Sequence, residues 1–162
     1  MKLFLQRDTS CEHSRYIVYD NCKREKYIVT GKRGTSVDRM IISTLEGVPC
    51  VQIRIAPFHV FYAFSVTGDK ERFTMTASNF RSKVDYRFHG ISWTLVRSRD
   101  MRSFEILDAD SSPVMLQIAD AFSICGAYDL EIYCEGRELF CIAAAICADV
   151  INYADSKKAA TV

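Results

Sequence analysis

The run Leu139–Ile151, LFCIAAAICADVI, constrains the chain most: it is thirteen residues long and Asp149 is its only polar side chain. Alanine and leucine favour helix, Gly136 just upstream suits an N-cap, and Glu138 falls at the positive end of the helix dipole. These features predict a helix over about 137–153. Its apolar residues cover every face rather than one stripe, so it must be enclosed on all sides. At ~1.5 Å per residue the run spans roughly 20 Å, short of the ~30 Å hydrocarbon core of a bilayer. A buried core helix is expected, not a transmembrane one, and the rest of the chain has to enclose it.

Upstream the sequence reads as one strand after another, with apolar and polar residues alternating between turn signals. Residues 2–7 begin the series, and Arg15–Asp20 and Lys26–Lys32 repeat the triplet Tyr-Ile-Val around the turn residues Asp20 and Asn21. Met40–Thr44 follows, then Val51–Ile55 between Pro49 and Pro57, residues that lack a ladder donor and belong at strand ends. Phe58–Val66 is apolar on both faces, and Arg72–Ala77 alternates again. Val84–Phe88 and Ile91–Leu95 read as a hairpin about Gly90, and strands centred on Phe104–Ile106, Val114–Ile118 and Tyr128–Ile132 complete the set. That makes twelve strands and one helix.

Closing a sheet removes its edges, and barrel diameter grows with strand number. Eight strands enclose little more than their own side chains, whereas an eleven-stranded can holds a helix ~10 to 12 Å across. The expected fold is therefore mainly β: a closed twelve-stranded antiparallel barrel with a central hydrophobic C-terminal helix. Ala143, Ala144, Ala145 and Ala148 let the strands approach that helix closely. A β-sandwich with the helix across an open end is the alternative. Residues 1–154 form one domain in this reading, with 155–162 as a flexible tail. Leu139, Ile142, Ala144, Ile146, Asp149 and Ile151 are its core-helix residues.

Composition excludes several functional classes. With 49% hydrophobic and 25% charged residues and a net charge of +1, the chain is globular and not strongly nucleic-acid-seeking. No nucleic acid partner is expected. The seven cysteines include no CxxC pair, and Cys141 and Cys147 lie on different helix faces, so reduced core thiols are expected rather than a metal site. MKLFLQRD holds too short an apolar run for a secretory signal, and no lipidation motif is present, which points to a cytoplasmic protein. Peripheral membrane association remains compatible with it.

From Val114 to Ile151, VMLQIADAFSICGAYDLEIYCEGRELFCIAAAICADVI resembles the C-terminal part of the LURP-one-related family, including its small bacterial members. That family has an ixkI strand, an aromatic, a short glycine turn, a YeleI strand, an acidic turn, and a terminal helix rich in Leu, Ala and Ile with Asp near its end. The matching residues are Leu116–Ile118, Phe122, Gly126, Tyr128–Ile132, Glu135, and Leu139–Ile151 with Asp149. MKLFLQ, RYIVYD and EKYIVTGK are similar to the family's opening strands, so the resemblance covers nearly the whole chain, loosely in the middle. It implies a tubby-like barrel threaded by a hydrophobic helix, a fold shared with tubby C-terminal domains and phospholipid scramblases. The family often has basic residues after the eleventh strand, where this chain has Ala119-Asp120-Ala121, so no anion-binding role carries over there. The chain lacks a scramblase-type calcium segment, a Pro-rich extension and a palmitoylation stretch. Scrambling is not expected.

No catalytic motif, cofactor loop or paired-histidine metal site occurs. His13 lies in a polar turn, His59 and His89 lie on strand faces, and Gly31–Thr35 lacks the spacing and following helix of a phosphate loop. Asp149 on its apolar helix must reach water, a cation or donors; the simplest expectation is that it emerges at the barrel mouth and bonds loop backbone. A hydrolase pairing Asp149 with a histidine is the enzymatic alternative. Arg97, Arg99 and Arg102 cluster about one turn, and Lys32 with Arg33 make another, so anionic lipid head groups or another anionic ligand are candidate partners. The expected function is a non-enzymatic, cofactor-free binding module, with a protein-interaction or structural barrel as the other possibility.

Overall fold

The computed structural model describes residues 1–8, 15–32, 38–57, 61–80, 83–98, 103–119 and 126–159. The strands are β1 (Lys2–Asp8), β2 (Arg15–Tyr19), β3 (Glu25–Lys32), β4 (Asp38–Thr44), β5 (Pro49–Pro57) and β6 (Phe61–Thr67). They continue as β7 (Arg72–Phe80), β8 (Lys83–His89), β9 (Thr94–Arg97), β10 (Ser103–Leu107), β11 (Pro113–Ala119) and β12 (Ala127–Ile132), before the helix α1 (Glu138–Ala159). One antiparallel sheet contains all twelve strands in the order β8-β7-β6-β5-β4-β3-β2-β1-β12-β11-β10-β9.

Period-two alternation explains why this sheet curls round the helix. Leu3 and Leu5 of β1, Val18 of β2, Ile53 of β5, Phe64 of β6 and Leu130 of β12 share the inner face, each buried to within 1% exposure. Register shifts beside Val18, Ile42 and Ile106 add local twist, which helps the sheet close. Every residue of α1 from Cys141 to Ala148 is 0% exposed, so the helix is surrounded on all sides. A sandwich with a helix across its end could not produce that burial pattern. Among the described residues, no helix is long and apolar enough to cross a membrane.

Three local expectations change. Val84–Phe88 and Ile91–Leu95 do not form a hairpin: β8 and β9 lie side by side at the two ends of the sheet order, and no ladder joins them. The barrel is therefore nearly closed, with one seam. Trp93 is 4% exposed and packs its ring 5.8 Å from Phe73 and 5.9 Å from Phe88, so its side chain turns inward, and β9 begins only at Thr94.

At the start of α1, Arg137 rather than Gly136 is the capping residue, since its carbonyl accepts the first helical bond from Cys141 N at 3.0 Å. Gly136 sits one residue earlier at φ 77°, a conformation that side chains disfavour. The helix then continues past 153 to Ala159, because no glycine or proline follows Gly136 to interrupt its backbone bonding. Phe58–Val60 of the anticipated sixth strand lie outside the described residues.

Candidate functional site

Consecutive strands alternate in direction, so β1, β3, β5, β7, β9 and β11 all end at one mouth of the barrel. The helix enters at the opposite mouth, after β12, and runs toward this one. Its single acidic residue past the first turn and before Val150 therefore arrives beside the end of β1. On β1 the alternation that buries Leu3 and Leu5 turns Arg7 inward as well, and β2 and β12 contribute Tyr16 and Tyr128 in the same way.

Asp149 is 3% exposed and does not reach water at the mouth, which corrects the simplest expectation for it. Arg7 Nη2 donates to Asp149 Oδ2 at 2.5 Å, Tyr16 donates its hydroxyl to the same oxygen at 2.8 Å, and Tyr128 donates its hydroxyl to Oδ1. The guanidinium also donates to the Tyr16 hydroxyl at 3.0 Å and lies 5.5 Å from that ring's centroid. Burial alone would lower the Arg7 pKa, but the facing Tyr16 and Asp149 oxygens raise it above its ordinary value. Burial, followed by the charge of Asp149, pushes both phenols well above the usual tyrosine range. Both hydroxyls therefore stay protonated and available as donors.

Gly126 borders the cluster at φ 66°, and its carbonyl accepts from Arg7 N at 3.1 Å. A Cβ there would lie 3.4 Å from Arg7 Cβ and 3.8 Å from Asp149 Oδ1. Those are ordinary van der Waals distances, so it is the left-handed backbone conformation that favours glycine here.

Among the described residues, this arrangement satisfies the buried charge of Asp149 with Arg7, Tyr16 and Tyr128. Asp149 has arginine and tyrosine partners where the hydrolase alternative needs histidine. His89 is exposed on β8, while His13 and His59 lie outside the described residues. No group of three or more metal-ligating side chains occurs among the described residues. Cys22, Cys50, Cys134, Cys141 and Cys147 carry free thiols; burial pushes Cys141 up to about 12 and Cys147 further in the same direction.

The cationic candidates do not share one setting. Lys32 and Arg97 end β3 and β9 at the same mouth, yet six steps in the strand order separate them, which puts them on opposite sides of the barrel. Arg97 is not a solvated turn residue: it is half-buried, donates to the Tyr86 hydroxyl at 2.9 Å, and stacks 5.3 Å over that ring across the β8–β9 seam. Arg33, Arg99 and Arg102 lie outside the described residues.

Sequence reasoning missed Arg7, Tyr16 and Tyr128. The signal was present in β1, where a charge falls in register with two core leucines. Of the core-helix residues, Ile142, Ala144 and Ile146 are 0% exposed, Ile151 is 1% exposed, and Leu139 is partly buried against them.

The LURP-one-related family model matches residues 1–149. A crystal structure of a protein from Arabidopsis thaliana superposes with a TM-score of 0.60 at 14% sequence identity, covering 93% of this chain and 91% of that one. None of the curated proteins matches the chain.

Proposed function

The chain belongs to the LURP-one-related family, and from that premise we propose that it is a non-enzymatic, tubby-like binding module for anionic phospholipid head groups or a related anionic ligand. One observation carries this reading. The ends of β3 and β9 fall at the mouth where α1 leads out, and the connections leaving those strands contain Arg33, Arg99 and Arg102 in sequence. The turns of the other mouth are richer in acids, among them Glu46, Glu71, Asp108 and Asp110. A barrel with this asymmetry meets an anionic surface with its cationic end, at about 1 kcal/mol per cation near the membrane. A peripheral cytoplasmic location fits such a role.

The test is vesicle co-sedimentation of wild type and an Arg33→Gln/Arg99→Gln/Arg102→Gln variant. Arg97 is left in place because it holds Tyr86. Wild type is expected to bind phosphatidylserine-containing vesicles, to weaken as salt shortens the ~8 to 10 Å screening length, and to bind neutral vesicles poorly. The variant should lose about 3 kcal/mol, more than a hundredfold in affinity, with an unchanged thermal melt. No binding by wild type at low salt, or equal binding by the variant, would instead favour a protein partner.

A further inference from the structure

We infer that the Asp149 cluster is a positioning latch, which fixes the rotation of α1 about its axis and the direction in which its C-terminal turns leave the barrel. The enclosed part of the helix carries little directional information of its own. Between Cys141 and Ala148 every side chain is apolar or a thiol, and four of the eight are alanine. Hydrophobic attraction of that kind is non-directional, so apart from the bulk of Ile142 and Ile146 on one face the segment does little to specify its own rotation.

The entry end has its own anchors. Phe140 packs 5.7 Å from Phe73, Glu138 pairs with Lys26 at 2.7 Å, and Arg137 meets Glu71 at 3.6 Å. Those contacts lie two or more turns from the exit. Asp149 supplies the direction there, through Arg7, Tyr16 and Tyr128 on the adjacent strands β1, β2 and β12. At 3.6 residues per turn, a rotation by one residue swings the carboxylate by about 100°. It would leave all three donors, and a carboxylate buried to 3% exposure without donors is costly. A single buried polar contact can select one packing among several of similar energy, even where an apolar replacement would be as stable.

The test uses the full chain with all four groups made apolar at similar volume: Arg7→Met, Tyr16→Phe, Tyr128→Phe and Asp149→Leu. The latch predicts a folded protein with an unfolding midpoint no lower than wild type, whose amide resonances from Ala144 to Ile151 are doubled or exchange-broadened while those of β5 and β6 stay single. A folded variant with one sharp set of α1 resonances would overturn the proposal. Should the fourfold variant fail to fold, Asp149→Asn decides. It keeps the shape and an acceptor oxygen but loses the charge that holds Arg7. Amides from Ala144 to Ile151 should then exchange about tenfold faster relative to Phe140–Ala143 than in wild type. An unchanged ratio within the helix would show that packing alone sets the orientation.

Discussion

Asp149 had three ways to avoid the cost of burial on an apolar helix: reach water, bond loop backbone, or find charged and neutral donors inside. It takes the third, and Arg7, Tyr16 and Tyr128 share it. Removing one member of such a pair leaves the other buried and uncompensated, so Asp149→Ala should destabilise by about 3 to 5 kcal/mol. A urea midpoint within experimental error of wild type would contradict the burial of the pair. The thiols give a second residue-level test, with a definite sign. Cys141 is held up to about 12 and Cys147 is raised further, whereas an unfolded thiol titrates near 8.5. The stability gained by keeping them neutral is complete below about pH 8.5 and is lost as pH rises toward the folded values. Each thiol should contribute a slope of about 1.4 kcal/mol per pH unit in that window, read as falling urea midpoints between pH 8 and 10.5. A flat profile would mean that neither thiol is buried. At this scale the sequence was partly legible. Period-two alternation puts Arg7 on the face of Leu3 and Leu5, a signal the sequence reading did not use, and nothing local said that β1 would lie between β2 and β12, facing the end of α1.

Among the elements, the seam between β8 and β9 departs most from what local patterning suggests. Alternation around Gly90 predicts a hairpin, yet Trp93 turns into the aromatic group of Phe73, Phe88 and Phe140, and the ladder never forms. Side chains hold the seam instead. Arg97 donates to Tyr86 and stacks on its ring near one end, and Phe88 meets Trp93 edge-on near the other. A hydrogen bond from a charged donor with a cation–π contact at a partly buried site suggests that Arg97→Gln costs about 1 to 2 kcal/mol. The loss should be shared in a double-mutant cycle with Tyr86→Phe. Additive single effects would show that the two residues do not act together. This contact also separates Arg97 from the cations proposed to meet a ligand: its substitution should alter stability, whereas theirs should alter binding.

For the whole molecule, the helix is the filling round which the sheet closes, since Cys141–Ala148 is wholly enclosed. Deleting 138–162 exposes the inner faces of twelve strands, and expression should yield aggregate. A soluble, cooperatively unfolding truncated monomer would refute the central role of α1. A milder variant, Ala144→Arg, buries a charge with no partner and should cost several kcal/mol, read from a thermal melt of the full chain. The sequence by itself determined the elements and the need to enclose the helix. A helix apolar on every face demands enclosure, and twelve period-two strands can supply it as a barrel round the helix or as a sandwich capped by it; the complete burial of Cys141–Ala148 selects the barrel. The sequence constraints act over short stretches of chain, so they survive without knowledge of the fold. Tertiary structure alone decided what the polar groups do. Arg7 and Asp149 are 142 residues apart, and Arg97 and Tyr86 sit on strands that are sequence neighbours but not hydrogen-bonded partners. A buried charge is neutralised by whichever donors closure brings within about 3 Å, and that depends on strand order and helix direction rather than on any local pattern.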